Sequence, residues 1–450
     1  MRLRTAVVGS GPSGMYAADA LLDQGFEVDV YDKLPVPFGL VRYGVAPDHF
    51  SIRSVRDTLD QVWGKPGIRF IGNVEVGRDI TVEELRSAYS GVVLTYGASA
   101  DRRLGIEGED LEGSVAATDF VAWYTGHPDY SGPDFAELLA RVRSVAVIGV
   151  GNVAVDVVRI LSKSESELSQ TDMPSHVLDV LRDAPVEKVY LIGRRGPVQA
   201  SFTTKELKEL GELEVADIRM SADDLDLDPW SEEQLAQSKV ATRNVAVMQA
   251  WSGRQPRTDH ERTIEMRFFS RPVRIEGDGH VDRLDIERTV LTDDGRLEGT
   301  GQHEAIDVDM VVRSVGYRGE AMPGVPFDPA ANVIPNDEGR VVDADGPVSG
   351  LYVAGWIKRG PTGIIGTNKK CAVGTVASLI ADRDAGLLQQ SEGSAVDELL
   401  ASRGITSVDI AGWRAIDTAE QSRGEGQGRP RETVWSREEL LEIAATARAT

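Results

Sequence analysis

A glycine turn set between a short apolar run and a helix-compatible stretch occurs twice in this chain. Gly9, Gly11 and Gly14 follow Thr5-Ala6-Val7-Val8, and Gly149, Gly151 and Ala154 follow Ser144-Val145-Ala146-Val147-Ile148. Each reads as strand, tight turn, helix. The first glycine allows the turn, the second lets a pyrophosphate approach the backbone, and the third lets helix and strand pack closely; alanine is an allowed variant there. The pyrophosphate then rests on the helix N-terminus. Two such turns in one chain imply two bound dinucleotides and electron traffic between them. The fold class that follows is α/β, with two Rossmann-like, doubly wound three-layer nucleotide-binding domains, one inserted in the other.

At 450 residues the chain exceeds one core, so more than one domain is expected. No run of 18 apolar residues is present, so no transmembrane helix is expected. The single cysteine, Cys371, rules out an intrachain disulfide, a CxxC redox pair and a cysteine-ligated cluster. An organic redox centre, no metal site and a cytoplasmic setting fit that usage. The net charge of −23 argues against general nucleic-acid affinity. Residues 205–235 carry eleven acids against three bases, whereas residues 355–370 carry Lys358, Arg359, Lys369 and Lys370 and no acid. Two lysines in the first turn of a helix oppose its dipole, so anionic charge nearby is expected.

Strands are expected at residues 5–8, 26–31, 68–76, 91–96, 144–148, 188–192, 309–316 and 351–356. Helices are expected at 14–24, 152–161, 175–182, 204–210 and 367–381, with Thr367 as a cap. Alternating segments within 240–315, including 263–268 and 283–288, predict an antiparallel hairpin layer. The domain division that follows is 1–104 with 320–390, an insert at 105–319, and a helical extension at 391–450.

Asp32, at the end of the second strand, stands where a carboxylate accepts from ribose hydroxyls. Arg194 and Arg195, after the strand at 188–192, suit a 2′-phosphate and favour NADP over NAD. Glu206 either braces an arginine or touches the ribose. His49 is a lone histidine, a type more often structural or exposed, and Asp156 lies two residues past Ala154 on the second helix, where a polar residue is common.

Three long ungapped stretches carry a resemblance: residues 34–49 (LPVPFGLVRYGVAPDH), residues 193–205 (GRRGPVQASFTTK) and residues 355–370 (GWIKRGPTGIIGTNKK). The chain resembles adrenodoxin reductase and the bacterial ferredoxin–NADP⁺ reductases of that type, nearly throughout to about residue 380. The GRPR tail at 428–431 also matches. The resemblance implies FAD in the first unit, contacted by Gly14, Asp32, Leu40, Val76, Trp356, Gly363, Ile364 and Ile365. It implies NADP in the second, contacted by Arg102, Asn152, Val153, Ala154, Val155, Arg194, Arg195, Glu206 and Gly363. His49 and Asp156 match polar residues that the family places near the flavin and nicotinamide. Asp32 stands where the family often has glutamate, and Phe38 where it often has tryptophan. The implied activity is hydride transfer from NADPH to FAD, then single electrons to a small acidic ferredoxin of 2Fe-2S or other iron–sulfur type. Lys239, Arg243 and the 355–370 bases are docking candidates. The alternative is an NADPH-dependent flavin monooxygenase; a disulfide reductase lacks its dithiol here.

Overall fold

The computed structural model describes residues 3–255, 257, 260–363, 365–391 and 395–447. The chain forms two compact units. The first is Met1–Ala100, Thr125–Asp129 and Tyr317–Thr450; the second is Asp101–Tyr124 and Tyr130–Gly316. Residues 391–450 therefore belong to the first unit.

A seven-stranded sheet organises the first unit, in the order Asn336–Asp337, Arg340–Asp343, Gly346–Val353, Gly91–Leu94, Arg4–Val8, Glu27–Tyr31, Ile68–Ile71. The last five strands run parallel and the first two form an antiparallel edge. The parallel strands are rich in Val and Ile and buried on both faces, as a sheet covered on each side requires. The Pro12–Asp23 helix joins the strands Arg4–Val8 and Glu27–Tyr31. Because the order reverses at Arg4–Val8, with Glu27–Tyr31 on one side and Gly91–Leu94 on the other, a crevice opens beyond that strand's carboxyl end.

The second unit repeats the plan in an all-parallel sheet of six strands: Ser114–Ala116, Met310–Arg313, Ser144–Ile148, Lys188–Ile192, Arg262–Arg267, Ala216–Met220. Its crevice lies beyond Ser144–Ile148. A three-stranded antiparallel sheet, Ser270–Glu276, Arg283–Leu291 and Leu297–Asp307, completes the unit.

Several expectations need correction. Thr263–Phe268 is not part of a hairpin: Arg262–Arg267 sits parallel to Lys188–Ile192 and Ala216–Met220 inside the main sheet. Its alternation of apolar and polar residues is that of a strand, and alternation carries no information about direction. Residues 240–252 are helical, within Lys239–Ser252, and the apolar residues Ala241, Val245 and Met248 share its buried face. The strand at 309–316 does not leave the second unit but pairs within its sheet. The 68–76 strand ends at Ile71. The helix expected to start at Thr367 is Ile365–Asp384. Thr367 is thus inside it, and Lys369 and Lys370 lie in the second turn, where they oppose the dipole less.

Candidate functional site

In the first unit, Gly9 has φ +104° and donates its N–H to the Tyr31 carbonyl at 2.8 Å. A Cβ on Gly9 would lie 2.9 Å from the Thr95 carbonyl oxygen, and one on Gly14 would lie 1.8 Å from the Gly9 carbonyl oxygen. Both glycines are therefore required for the strand, turn and helix to close. Gly11 differs: a Cβ there meets nothing within 4 Å. It caps the Pro12–Asp23 helix without any side-chain hydrogen bond, so the first N–H groups of that helix face the open space. Thr95 Oγ1 donates to the Val8 and Gly9 carbonyls, at 2.8 and 2.9 Å, locking the turn to the neighbouring strand end.

Asp32 is held by the same turn. Ser10 donates to one carboxylate oxygen through its backbone N–H at 2.9 Å and through its hydroxyl, and the Leu34 N–H donates to the other at 2.9 Å. Burial raises its pKa, opposed by these hydrogen bonds. Two buried polar groups next to the turn, Ser13 Oγ and Trp356 Nε1, have no hydrogen-bond partner among the described residues. Ser13 lies in the first helical turn, and a Cβ on Gly355 would fall 2.8 Å from its Oγ. Unpaired buried donors beside an open glycine cradle fit a large polar ligand such as FAD. Gly363 stands at φ +85° before the Ile365–Asp384 helix. Leu40 is 41% exposed, Ile365 half-buried, and Val76 buried in the apolar core, whereas Ile364 lies outside the described residues.

The loop that carries Leu40 crosses the glycine turn. The Phe38 N–H donates to the Ser10 carbonyl at 3.1 Å, and Gly39 packs on Gly11 so closely that a Cβ would lie 3.2 Å from the Gly11 Cα. Phe38 has φ +85°, a conformation costing a bulky residue about 1–3 kcal/mol. His49, further along this loop, is buried.

The second unit reproduces the turn. Gly149 has φ +133° and donates to the Ile192 carbonyl at 2.9 Å; a Cβ there would lie 2.1 Å from the Ser314 carbonyl oxygen. Gly151 caps the Asn152–Ser162 helix with no side-chain hydrogen bond, and Ala154 and Val155 are buried beneath it. Asn152 Oδ1 accepts from the Thr203 N–H at 2.9 Å, and Val153 is half-buried. Arg194 and Arg195 end the Lys188–Ile192 strand, exposed, and no carboxylate among the described residues pairs with either side chain. Both guanidiniums thus stand at the end of the strand that follows the second glycine turn, with their charge open to solvent. Arg102 is also exposed; its N–H donates to the Gly316 carbonyl at 3.0 Å.

Of the two roles open to Glu206, the structure displays the brace. Arg159 is 1% exposed and its Nη2 donates to Asp156 Oδ1 at 2.8 Å; its Nη1 lies 3.4 Å from Glu206 and 3.7 Å from Glu209. Sequence reading missed Arg159, although its place three residues after Asp156 on one helix was the available signal. It also missed Ser13 and Thr95, which lie within and opposite the turn. The acidic stretch at 205–235 is only partly a solvated face, since Asp224 is buried and pairs with Arg288 at 2.6 Å. Among the basic candidates, Lys358 donates to Thr375 at 3.2 Å and Arg359 to Asn368 at 2.8 Å, while Lys369, Lys370, Lys239 and Arg243 are exposed.

Two doubly wound units with paired glycine cradles, one of them ending in free guanidiniums, define a pyridine-nucleotide oxidoreductase. The family model for an NAD(P)-binding Rossmann-like domain matches residues 7–55. The chain is 41% identical to the mitochondrial NADPH:adrenodoxin oxidoreductase of Arabidopsis thaliana, over 98% of this chain and 95% of that one. It is 42% identical to the NADPH-ferredoxin reductase FprA of Mycobacterium tuberculosis, over 97% and 98%. The solved structure of Mycobacterium tuberculosis FprA in complex with NADPH superposes with a TM-score of 0.92 at 40% identity, covering 99% of this chain and all of that one. The chain belongs to the adrenodoxin-reductase-type NADPH–ferredoxin reductase family.

Proposed function

We infer that this chain is an FAD-dependent NADPH–ferredoxin oxidoreductase, with FAD in the first glycine cradle and NADPH in the second. The observation that supports it most directly is the pair of cradles with different neighbours: a carboxylate, Asp32, at one, and two unpaired guanidiniums, Arg194 and Arg195, at the other. When bound, FAD supplies the redox chemistry, accepting hydride from NADPH and passing electrons singly to an iron–sulfur ferredoxin.

The chain's own residues bind and orient. Gly11 and Gly151 leave room for pyrophosphates at uncapped helix N-termini, where the free N–H groups and the helix dipole favour anions. Asp32, fixed by Ser10 and Leu34, offers its remaining acceptor positions to a ribose hydroxyl. Ser13 Oγ and Trp356 Nε1 gain the partners they lack. Arg194 and Arg195 hold the 2′-phosphate that distinguishes NADPH from NADH. Asp156 and Glu206 act through Arg159, fixing the helix that presents Asn152; Asp156 is accordingly a positioning residue. His49 and Arg102 are assigned to the cofactor surroundings on family position. Lys369 and Lys370 present charge of the sign needed to steer an acidic ferredoxin against the net charge of −23, an attraction that weakens with salt. A cytoplasmic setting fits the cysteine usage; no helix among the described residues is long and apolar enough to cross a membrane.

Anaerobic stopped-flow mixing tests the assignment. Purified protein should be yellow, bleach on mixing with NADPH, and recover its colour as a ferredoxin is reduced. A colourless protein, or a yellow one that NADPH does not bleach, would refute it.

A further inference from the structure

The C-terminal segment packs on the loop that crosses the first cradle. Between two anchors it runs as a strap. At one end Val408 and Gly72 exchange backbone hydrogen bonds of 2.8 Å. At the other, Arg437 donates to the Lys33 carbonyl, the residue after Asp32, at 3.2 Å and pairs with Asp129 at 2.5 Å. Between them lie the Ile410–Glu425 helix and the GRPR tail.

Two side chains of that helix grip the loop that crosses the glycine turn. Trp413 is fully buried and meets Phe38 edge to face, with ring centres 5.7 Å apart and planes at 81°. Glu420 is fully buried and receives both arms of the buried Arg42 guanidinium, one at 3.0 Å. It also accepts from Arg431 at 2.7 Å and from the Val434 N–H at 2.9 Å. Every acceptor position of this carboxylate is thereby filled from the loop or the tail. Arg431 in turn reaches Asp417 at 2.6 Å. One of the residues held is strained. Phe38, at φ +85°, leads into Gly39, which lies on Gly11, and then into the Leu40–Tyr43 helix that carries Arg42. Strain of this kind persists only where the surroundings over-determine it.

We propose that Trp413 and Glu420 are positioning residues for flavin retention: the C-terminal strap holds the strained Phe38–Gly39 turn closed over the first glycine cradle. Without that hold the turn relaxes away from Gly11 and bound FAD escapes. This rests on FAD occupying that cradle, as inferred above.

The test uses full-length holoprotein and two readouts besides turnover. The first is the rate at which FAD fluorescence appears on dilution, well below each variant's Tm. The second is amide hydrogen exchange at residues 36–45 compared with the Arg4–Val8 and Gly91–Leu94 strands. Glu420→Gln keeps the volume but leaves Arg42 without its anion and Arg431 with Asp417 alone, so FAD release should quicken on the order of tenfold. Exchange should rise at 36–45 and stay unchanged in the two strands. Trp413→Leu should act likewise, and Trp413→Phe, which restores an edge-to-face ring, should recover most of the retention. If Glu420→Gln does not fold, the Trp413 pair decides. A lowered Tm with FAD release and local exchange as in the parent protein would overturn the proposal. Equal losses in Trp413→Leu and Trp413→Phe would do the same. A parent protein that carries no FAD would instead refute the cofactor assignment.

Discussion

Replacing Arg194 and Arg195 together by alanine tests the proposal that these guanidiniums separate NADPH from NADH. Both side chains are exposed at the end of the Lys188–Ile192 strand and neither pairs with a carboxylate among the described residues, so their removal leaves no orphaned partner in the fold. The backbone of the turn is secured elsewhere, by the Phe269 N–H on the Arg195 carbonyl at 3.0 Å and by Thr289 Oγ1 on the Arg194 carbonyl at 2.8 Å. Stability should therefore barely change. A hydrogen bond to a charged group contributes about 1.5–3 kcal/mol. Exposure to water and salt places each guanidinium–phosphate contact at the low end of that range. Two contacts then give about 3 kcal/mol, or on the order of a hundredfold in KM for NADPH. NADH lacks the 2′-phosphate, and its KM should stay within about a factor of two, a change too small to register as a lost charged contact. Steady-state ferricyanide reduction with each coenzyme over a range of ionic strengths reads both values. The KM for NADPH in the parent protein should climb with salt, and that slope should flatten in the double variant. Equal losses for the two coenzymes would refute the phosphate assignment, because the arginines would then be acting on something both coenzymes share.

Three further outcomes are expected. Gly14→Ala drives a Cβ to 1.8 Å from the Gly9 carbonyl oxygen, whereas Gly11→Ala meets nothing. The first should fold poorly, and the second should keep its Tm yet bind FAD weakly, as the ratio of visible to ultraviolet absorbance would report. Arg159→Ala removes the buried guanidinium that Asp156 and Glu206 share and should cost about 3–5 kcal/mol in urea unfolding; a loss below about 1 kcal/mol would show the cluster to be incidental. Burial pushes His127 down to about 4, so the folded protein binds fewer protons there than the unfolded chain between about pH 6.5 and 4. Stability from this group is complete above that window and falls as pH drops, by about 2 kcal/mol at pH 5. Urea midpoints at pH 7 and pH 5 should differ less in His127→Gln than in the parent protein; an unchanged difference refutes the attribution.

Local chemistry made both glycine turns legible in the sequence. A positive φ at Gly9 and Gly149 and a close approach at Gly14 are demands of the backbone itself, so they appear as residue types at fixed spacing wherever the motif occurs. Strands such as Lys188–Ile192 were readable for a similar reason, since a continuous apolar run reports burial on both faces. What pairing decides was not readable. Arg262–Arg267 alternates like a hairpin strand yet lies parallel in the sheet, because side-chain period is the same in either direction.

Sequence by itself determined that two glycine turns of the dinucleotide-binding kind exist and that Cys371 has no second cysteine to pair with. Only the tertiary structure decided that Glu206 braces Arg159, that Ser13 Oγ and Trp356 Nε1 find no hydrogen-bond partner among the described residues, and that Glu420 in the last fifty residues holds Arg42 in the first fifty. The physical reason is range. Turn conformation is fixed by neighbours along the chain. A buried charge is fixed by whichever opposite charge the fold carries to within about 3 Å, and sequence separation does not encode that distance.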